Sequence, residues 1–136
     1  KVGDYSSPLV LTGAADLLLS FDQNEGIRNL HFLRKGGAAI LNVHAPEAME
    51  NSHLKSFLAE RQIKAFCLPG YDILREKMEG RFLFLNALIL GAMCGACAGN
   101  LSIEEVREAV EKLAPAKFRG DNLKAVDLGN AHFAGK

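Results

Sequence analysis

At 136 residues the chain is the size of one domain and is long enough to bury a real core. Sixteen Lys and Arg balance sixteen Asp and Glu, and 49% apolar with 24% charged residues is ordinary globular composition, so nothing marks a nucleic-acid or anionic-membrane surface. Three cysteines, an odd number, exclude a disulfide framework and point to a reducing cytoplasm.

In chain order, Ser7-Pro8 reads as a turn or an extended start, since the residue before proline avoids helix. Leu9–Leu11 is a short strand or a plug. Leu17–Phe21 is an apolar run of the kind a strand buried on both faces carries. Asp22 caps a following helix with Glu25 in the capping-box position, and Ile27, Leu30 and Leu33 recur at helical spacing. Arg34-Lys35 then Gly36-Gly37 reads as the helix ending, with cations at the negative end of the dipole and glycine free to turn left-handed. Ala38–Leu41 is a second strand, ending at Asn42, which completes a βαβ unit. Asn51 or Ser52 caps a helix running to about Arg61, with Leu54, Phe57 and Leu58 on one face. Ile63–Leu68 is a third strand, closed by Pro69-Gly70. This rhythm predicts an α/β fold, a three-layer α/β/α arrangement with a mainly parallel sheet and a helical C-terminal part, in one domain over residues 1–136.

Beyond Pro69 the pattern becomes helical. Asp72–Glu79 is a short helix. Arg81–Ala98 is apolar on every side, as a helix central to its domain is, and falls short of the ~20 residues a membrane span needs. Gly91, Gly95 and Gly99 form a stripe that permits close backbone approach, by a neighbouring helix or by a second copy of the chain. Ser102 and Glu105 form a capping box opening Ile103–Leu113, whose apolar face is Ile103, Val106, Val110 and Leu113. Asn122–Ala131 is a final helix with Leu123, Ala125 and Val126 inward.

Cys94-Gly95-Ala96-Cys97 has the spacing of a redox pair or half a metal site, but lies in an apolar helix with Cys67 as the sole other thiol. It reads as small buried cysteines at a helix crossing. The histidines show no metal-ligand spacing, so no metal site is expected. Open α/β sheets bind ligands at the carboxyl ends of their strands, which here offer Ser20 and Asp22–Glu25 on the first strand and Asn42, Val43 and His44 on the second, with Asp22, Glu25 and Asn42 as the candidates. Capping and turn bonding are the plainer roles for these three. Asn86, polar within the apolar helix, calls for a buried partner or an interface. These four are the candidate cofactor-facing residues, and no catalytic pair is evident.

The serial order carries a resemblance. Ser7-Pro8, then Ala15-Asp16-Leu17-Leu18-Leu19, Leu33 through Gly37, Ile40-Leu41-Asn42, Asn86 through Gly91 and Asn122 through Gly129 together resemble the gamma subunit or domain of the 2-oxoacid:ferredoxin oxidoreductases, whose members act on pyruvate, 2-ketoisovalerate or indolepyruvate. The family's opening glycine-rich G-x-G-G-Q-G loop is missing, so the chain reads as lacking the domain's N-terminal segment. The resemblance implies a complex that oxidatively decarboxylates a 2-oxoacid. Thiamine diphosphate sits on alpha and beta partner subunits, Fe-S clusters on a further subunit or ferredoxin, and coenzyme A (CoA) accepts the acyl group. This chain would be required but not catalytic alone. The competing expectations are a free-standing Rossmann-like coenzyme-binding module and a non-enzymatic homodimer joined through the glycine stripe.

Overall fold

The computed structural model describes residues 13–135. Ser7-Pro8 and Leu9–Leu11 lie outside the described residues. The chain forms an α/β fold of two compact units, residues 1–67 and 68–136.

The first unit holds a three-stranded sheet in the order β1-β2-β3, from β1 (Ala15–Ser20), β2 (Leu33–Asn42) and β3 (Lys64–Leu68, whose last residue opens the second unit). β1 and β2 are parallel, and helix α1 (Gln23–Asn29) connects them. Because β2 is the central strand, its run Ala39–Asn42 is buried, as is Val43 just after it, whereas Leu17–Leu19 of β1 are only half-buried. The fully buried run is therefore the second one, not Leu17–Phe21. Helix α2 (Ser52–Arg61) starts on Asn51, whose Oδ1 accepts from the amides of His53 and Leu54 at 2.9 and 3.1 Å. Leu54, Phe57 and Leu58 pack on a core of Leu30, Leu33, Leu41, Val43 and Ile63.

The Gly-Gly pair does not end a helix. α1 stops at Asn29, a 3-10 turn covers Leu30–Phe32, and Arg34 through Gly37 lie inside β2. Ala15 pairs with Leu33 and Leu17 with Ala38, so two steps on β1 face five on β2. The extra residues form a wide bulge, held where Arg34 Nε donates to Asp16 Oδ1 at 2.6 Å. Gly36 sits at φ +81, and a side chain on Gly37 would press on the Arg34 and Asp16 carbonyls at 3.0 and 3.2 Å. Cations followed by glycines suit both a helix end and this bulge. The long-range pairing with β1 selects the bulge.

The second unit is helical: α3 (Gly70–Lys77), α4 (Leu85–Gly95), α5 (Ile103–Leu113) and α6 (Arg119–Phe133). α4 is buried nearly all round, through Leu85, Ala87, Leu88, Ile89, Gly91, Ala92 and Met93. It runs backbone to backbone against α6. A Cβ on Gly91 would overlap the Val126 carbonyl, one on Gly95 the Asn130 carbonyl, and one on Gly129 the Leu88 carbonyl. The glycine stripe is thus filled by a helix of the same chain. Its reading as a contact between two copies is corrected at Gly91 and Gly95, and Gly99 lies beyond the end of α4. The capping box of Ser102 and Glu105 forms reciprocally, each bond 3.1 Å. The expected apolar face of α5 is buried at Val106 but not at Leu113, which is 82% exposed. Among the described residues no helix is long and apolar enough to cross a membrane.

Candidate functional site

The carboxyl ends of β1 and β2 are laced together by short polar bonds. Ser20 Oγ donates to the Asp22 carbonyl at 2.6 Å, and Asn42 Nδ2 donates to the Phe21 carbonyl at 3.0 Å. Asp22 caps α1, its Oδ1 accepting from the Glu25 amide at 3.0 Å, while Glu25 pairs with Arg28 at 3.1 Å in the open. The two strand ends that the sequence singled out are therefore neighbours. Asp22 and Glu25 are exposed there, whereas Asn42 is 1% exposed. Asn86 belongs to the second unit and is exposed beside the exposed Phe82 and Leu83, so a buried partner is not its role.

Gln23 organises this edge, a role that no spacing in the sequence announces. It is 1% exposed, and its Oε1 accepts from the amides of His44 and Ala45 at 3.0 and 2.8 Å. Its Nε2 returns a bond to the Ala45 carbonyl at 2.8 Å. One side chain thereby satisfies three backbone groups of the segment leaving β2. Gly26 lets α1 settle on β1, since a Cβ there would stand 2.5 Å from Ser20 Oγ. The edge is held rigid, with its outward surface made by Asp22, Glu25 and His44.

Also in the first unit, α1 with its 3-10 turn, Ala48 and the start of α2 line an open cavity of about 490 Å³. Ile27, Leu30, Leu54 and Phe57 contribute apolar lining, and Arg28, His31, Asn51 and His53 add polar groups. No sequence spacing announces this cavity, because it depends on how two separated segments pack.

The cysteines are not buried. Cys67 and Cys97 are exposed and Cys94 is half-buried, which corrects the expectation of core thiols. The reason is the helix end. α4 stops at Gly95, the Cys97 amide donates to the Cys94 carbonyl and the Ala98 amide to the Met93 carbonyl, both at 3.1 Å. This is a Schellman ending, with Cys97 at φ +55 in the position glycine usually fills. Burial, then the neighbouring Cys97, Glu104 and Glu105, raise the Cys94 thiol above its ordinary range. A C-x-x-C at a helix C-terminus is thus set against thiolate formation, opposite to one at a helix N-terminus. No group of three or more His, Cys, Asp or Glu side chains among the described residues is arranged to hold a metal ion.

A family model described as pyruvate ferredoxin/flavodoxin oxidoreductase matches residues 3–131. The chain belongs to that family. Among curated proteins, it is 28% identical to the indolepyruvate oxidoreductase subunit IorB of Pyrococcus horikoshii, an alignment covering 93% of the chain and 67% of the relative. The subunit of the same name from Archaeoglobus fulgidus is 26% identical, with 95% and 68% covered. The gamma subunit of a keto/oxoacid ferredoxin oxidoreductase from Geobacter sulfurreducens shares the fold, with a TM-score of 0.65 and 24% identity over 88% of this chain and 64% of that one. The chain thus spans about two-thirds of the length of these relatives. The family resemblance read from the sequence is the family found.

Proposed function

We propose that this chain is the gamma-type part of a 2-oxoacid:ferredoxin oxidoreductase and works only within its complex. The family match over residues 3–131 carries this reading. Indolepyruvate is the 2-oxoacid to test first, because the curated relatives are named as indolepyruvate oxidoreductase subunits; pyruvate and 2-ketoisovalerate follow. In the complex, thiamine diphosphate would carry the carbanion chemistry and Fe-S clusters the electrons to ferredoxin, with CoA as acyl acceptor. Partner chains would hold both thiamine diphosphate and clusters. Three cysteines cannot furnish the four thiolates of such a cluster, and the described residues group no three metal-binding side chains.

The role left to this chain is docking and support of the acyl-transfer half-reaction. The strand-end edge, which exposes Asp22, Glu25 and His44 over the buried Asn42, and separately the exposed Asn86 with Phe82 and Leu83, are its proposed contact surfaces toward partners or cofactor. Both offer polar groups on rigid elements, and the second adds apolar area of the kind interface cores use.

Tagged protein expressed with its native neighbours should co-purify with larger chains carrying thiamine diphosphate and Fe-S absorbance. The assembly should reduce a viologen dye with CoA and indolepyruvate, and lose that activity when this chain is omitted. A monomer that binds no such chains, or a complex equally active without it, would refute the proposal.

A further inference from the structure

We propose that the cavity between α1 and α2 is a binding site for a small organic anion with an apolar tail. Its volume, about 490 Å³, lies within the range of small-molecule sites, and its makeup follows their pattern of apolar walls with few polar groups. Leu30 is buried, and Ile27, Leu54 and Phe57 are partly buried, giving a floor for an alkyl or aryl body. The exposed residues of the lining are Arg28, His31, Ala48, Asn51 and His53, with no carboxylate among them.

The charge of the ligand follows from what these groups can still donate. Arg28 engages Glu25 through one Nη, leaving the rest of its guanidinium uncommitted. Asn51 spends its oxygen on the His53 and Leu54 amides, which leaves its Nδ2 to donate. His31 Nδ1 lies 2.7 Å from the Arg28 carbonyl and donates to it. The fixed charge among the lining side chains is therefore the Arg28 cation, paired on one side with Glu25 outside the lining, and the Asn51 amide and His53 ring stand in the same lining. A carboxylate or similar anion is complementary to it and an ammonium is not.

The test pairs two probes of one shape and opposite charge, hexanoate and hexylamine, in equilibrium dialysis at pH 7 against the purified full chain in whatever assembly it is isolated. Hexanoate should bind saturably, at least about tenfold more tightly than hexylamine, and the double variant Arg28→Gln/His53→Gln should weaken hexanoate about tenfold without weakening hexylamine. Ala48→Trp, which fills the cavity from an exposed position, should abolish hexanoate binding with an unchanged circular dichroism spectrum. Absence of saturable hexanoate binding, equal binding of the amine, or binding that survives Ala48→Trp in a folded protein would overturn the proposal. Should a variant fail to fold, the comparison of the two probes on the unaltered chain still decides it.

Discussion

Replacing Gly91 with alanine tests the α4–α6 crossing most directly. The new methyl would overlap the Val126 carbonyl oxygen and stand 2.7 Å from its carbon and 2.9 Å from the Val126 Cα. All three are backbone atoms, so no rotamer change relieves the overlap, and the helices must part by roughly 1.5 Å to restore ordinary contact. Overpacking of this kind costs about 3 kcal/mol or more, while alanine regains up to ~1 kcal/mol of helix propensity over glycine. The net expectation is a loss of about 2 kcal/mol. Gly120, near the start of α6, is the control: it is exposed, and a Cβ there meets nothing within 4 Å. Gly120→Ala should therefore gain ~0.5 kcal/mol through the unfolded chain. Urea titrations followed by circular dichroism would read both, as opposite shifts in midpoint at unchanged slope. A Gly91→Ala protein within about 0.5 kcal/mol of the parent would refute the backbone-to-backbone crossing.

Other expectations follow from the polar and thiol groups. Gln23→Leu removes one acceptor for two amides and one donor for a carbonyl, and should cost about 2–3 kcal/mol in urea unfolding. Cys97→Gly relieves a left-handed residue and should gain ~0.5–1 kcal/mol, read as a higher Tm. Because the Cys94 thiol is raised above its ordinary range, it holds less thiolate than a free cysteine at pH 8. Its alkylation by iodoacetamide, followed by mass mapping of the Cys94 peptide, should be slower there and still be rising above the pH at which a free thiol levels off. A Cys94 profile identical to that of a small-molecule thiol would contradict this.

What the sequence disclosed was what is local. The caps at Asp22, Asn51 and Ser102 each bond groups two or three residues away, so their chemistry is written in adjacent letters. The central helix was legible for a different reason: a nearly all-apolar stretch buries most of its circumference, and within α4 only Asn86 is exposed. The misreadings involve partners far along the chain. Leu33 through Gly37 has a composition that suits a helix stop, and the bond from Arg34 to Asp16, 18 residues back, is part of what makes it a bulged strand. Gln23 looked like any first-turn residue because its three bonds reach 21 and 22 residues ahead. Leu113 fits the helical period of α5 but sits on its final turn, where burial has ended. The family was legible through the order of weak segments, each of which alone is only good capping or strand chemistry.

The crossing of α4 and α6 also governs where this chain can change length. Gly91 and Gly95 face Val126 and Asn130, and Gly129 faces Leu88 and Ala92, so small residues on both helices interlock like the wards of a key. One residue inserted between Gly91 and Gly95 would turn the second notch by about 100° and present a side chain in its place. Deletions between Val126 and Asn130 would do the same from the other side. The stretch from Gly99 to Leu101 carries no such constraint, because it lies between the end cap of α4 and the N-cap of α5 and takes no part in the interlock. Insertions and fusion tags belong in that linker, and the two interlocked helices are the part of the second unit whose length is fixed.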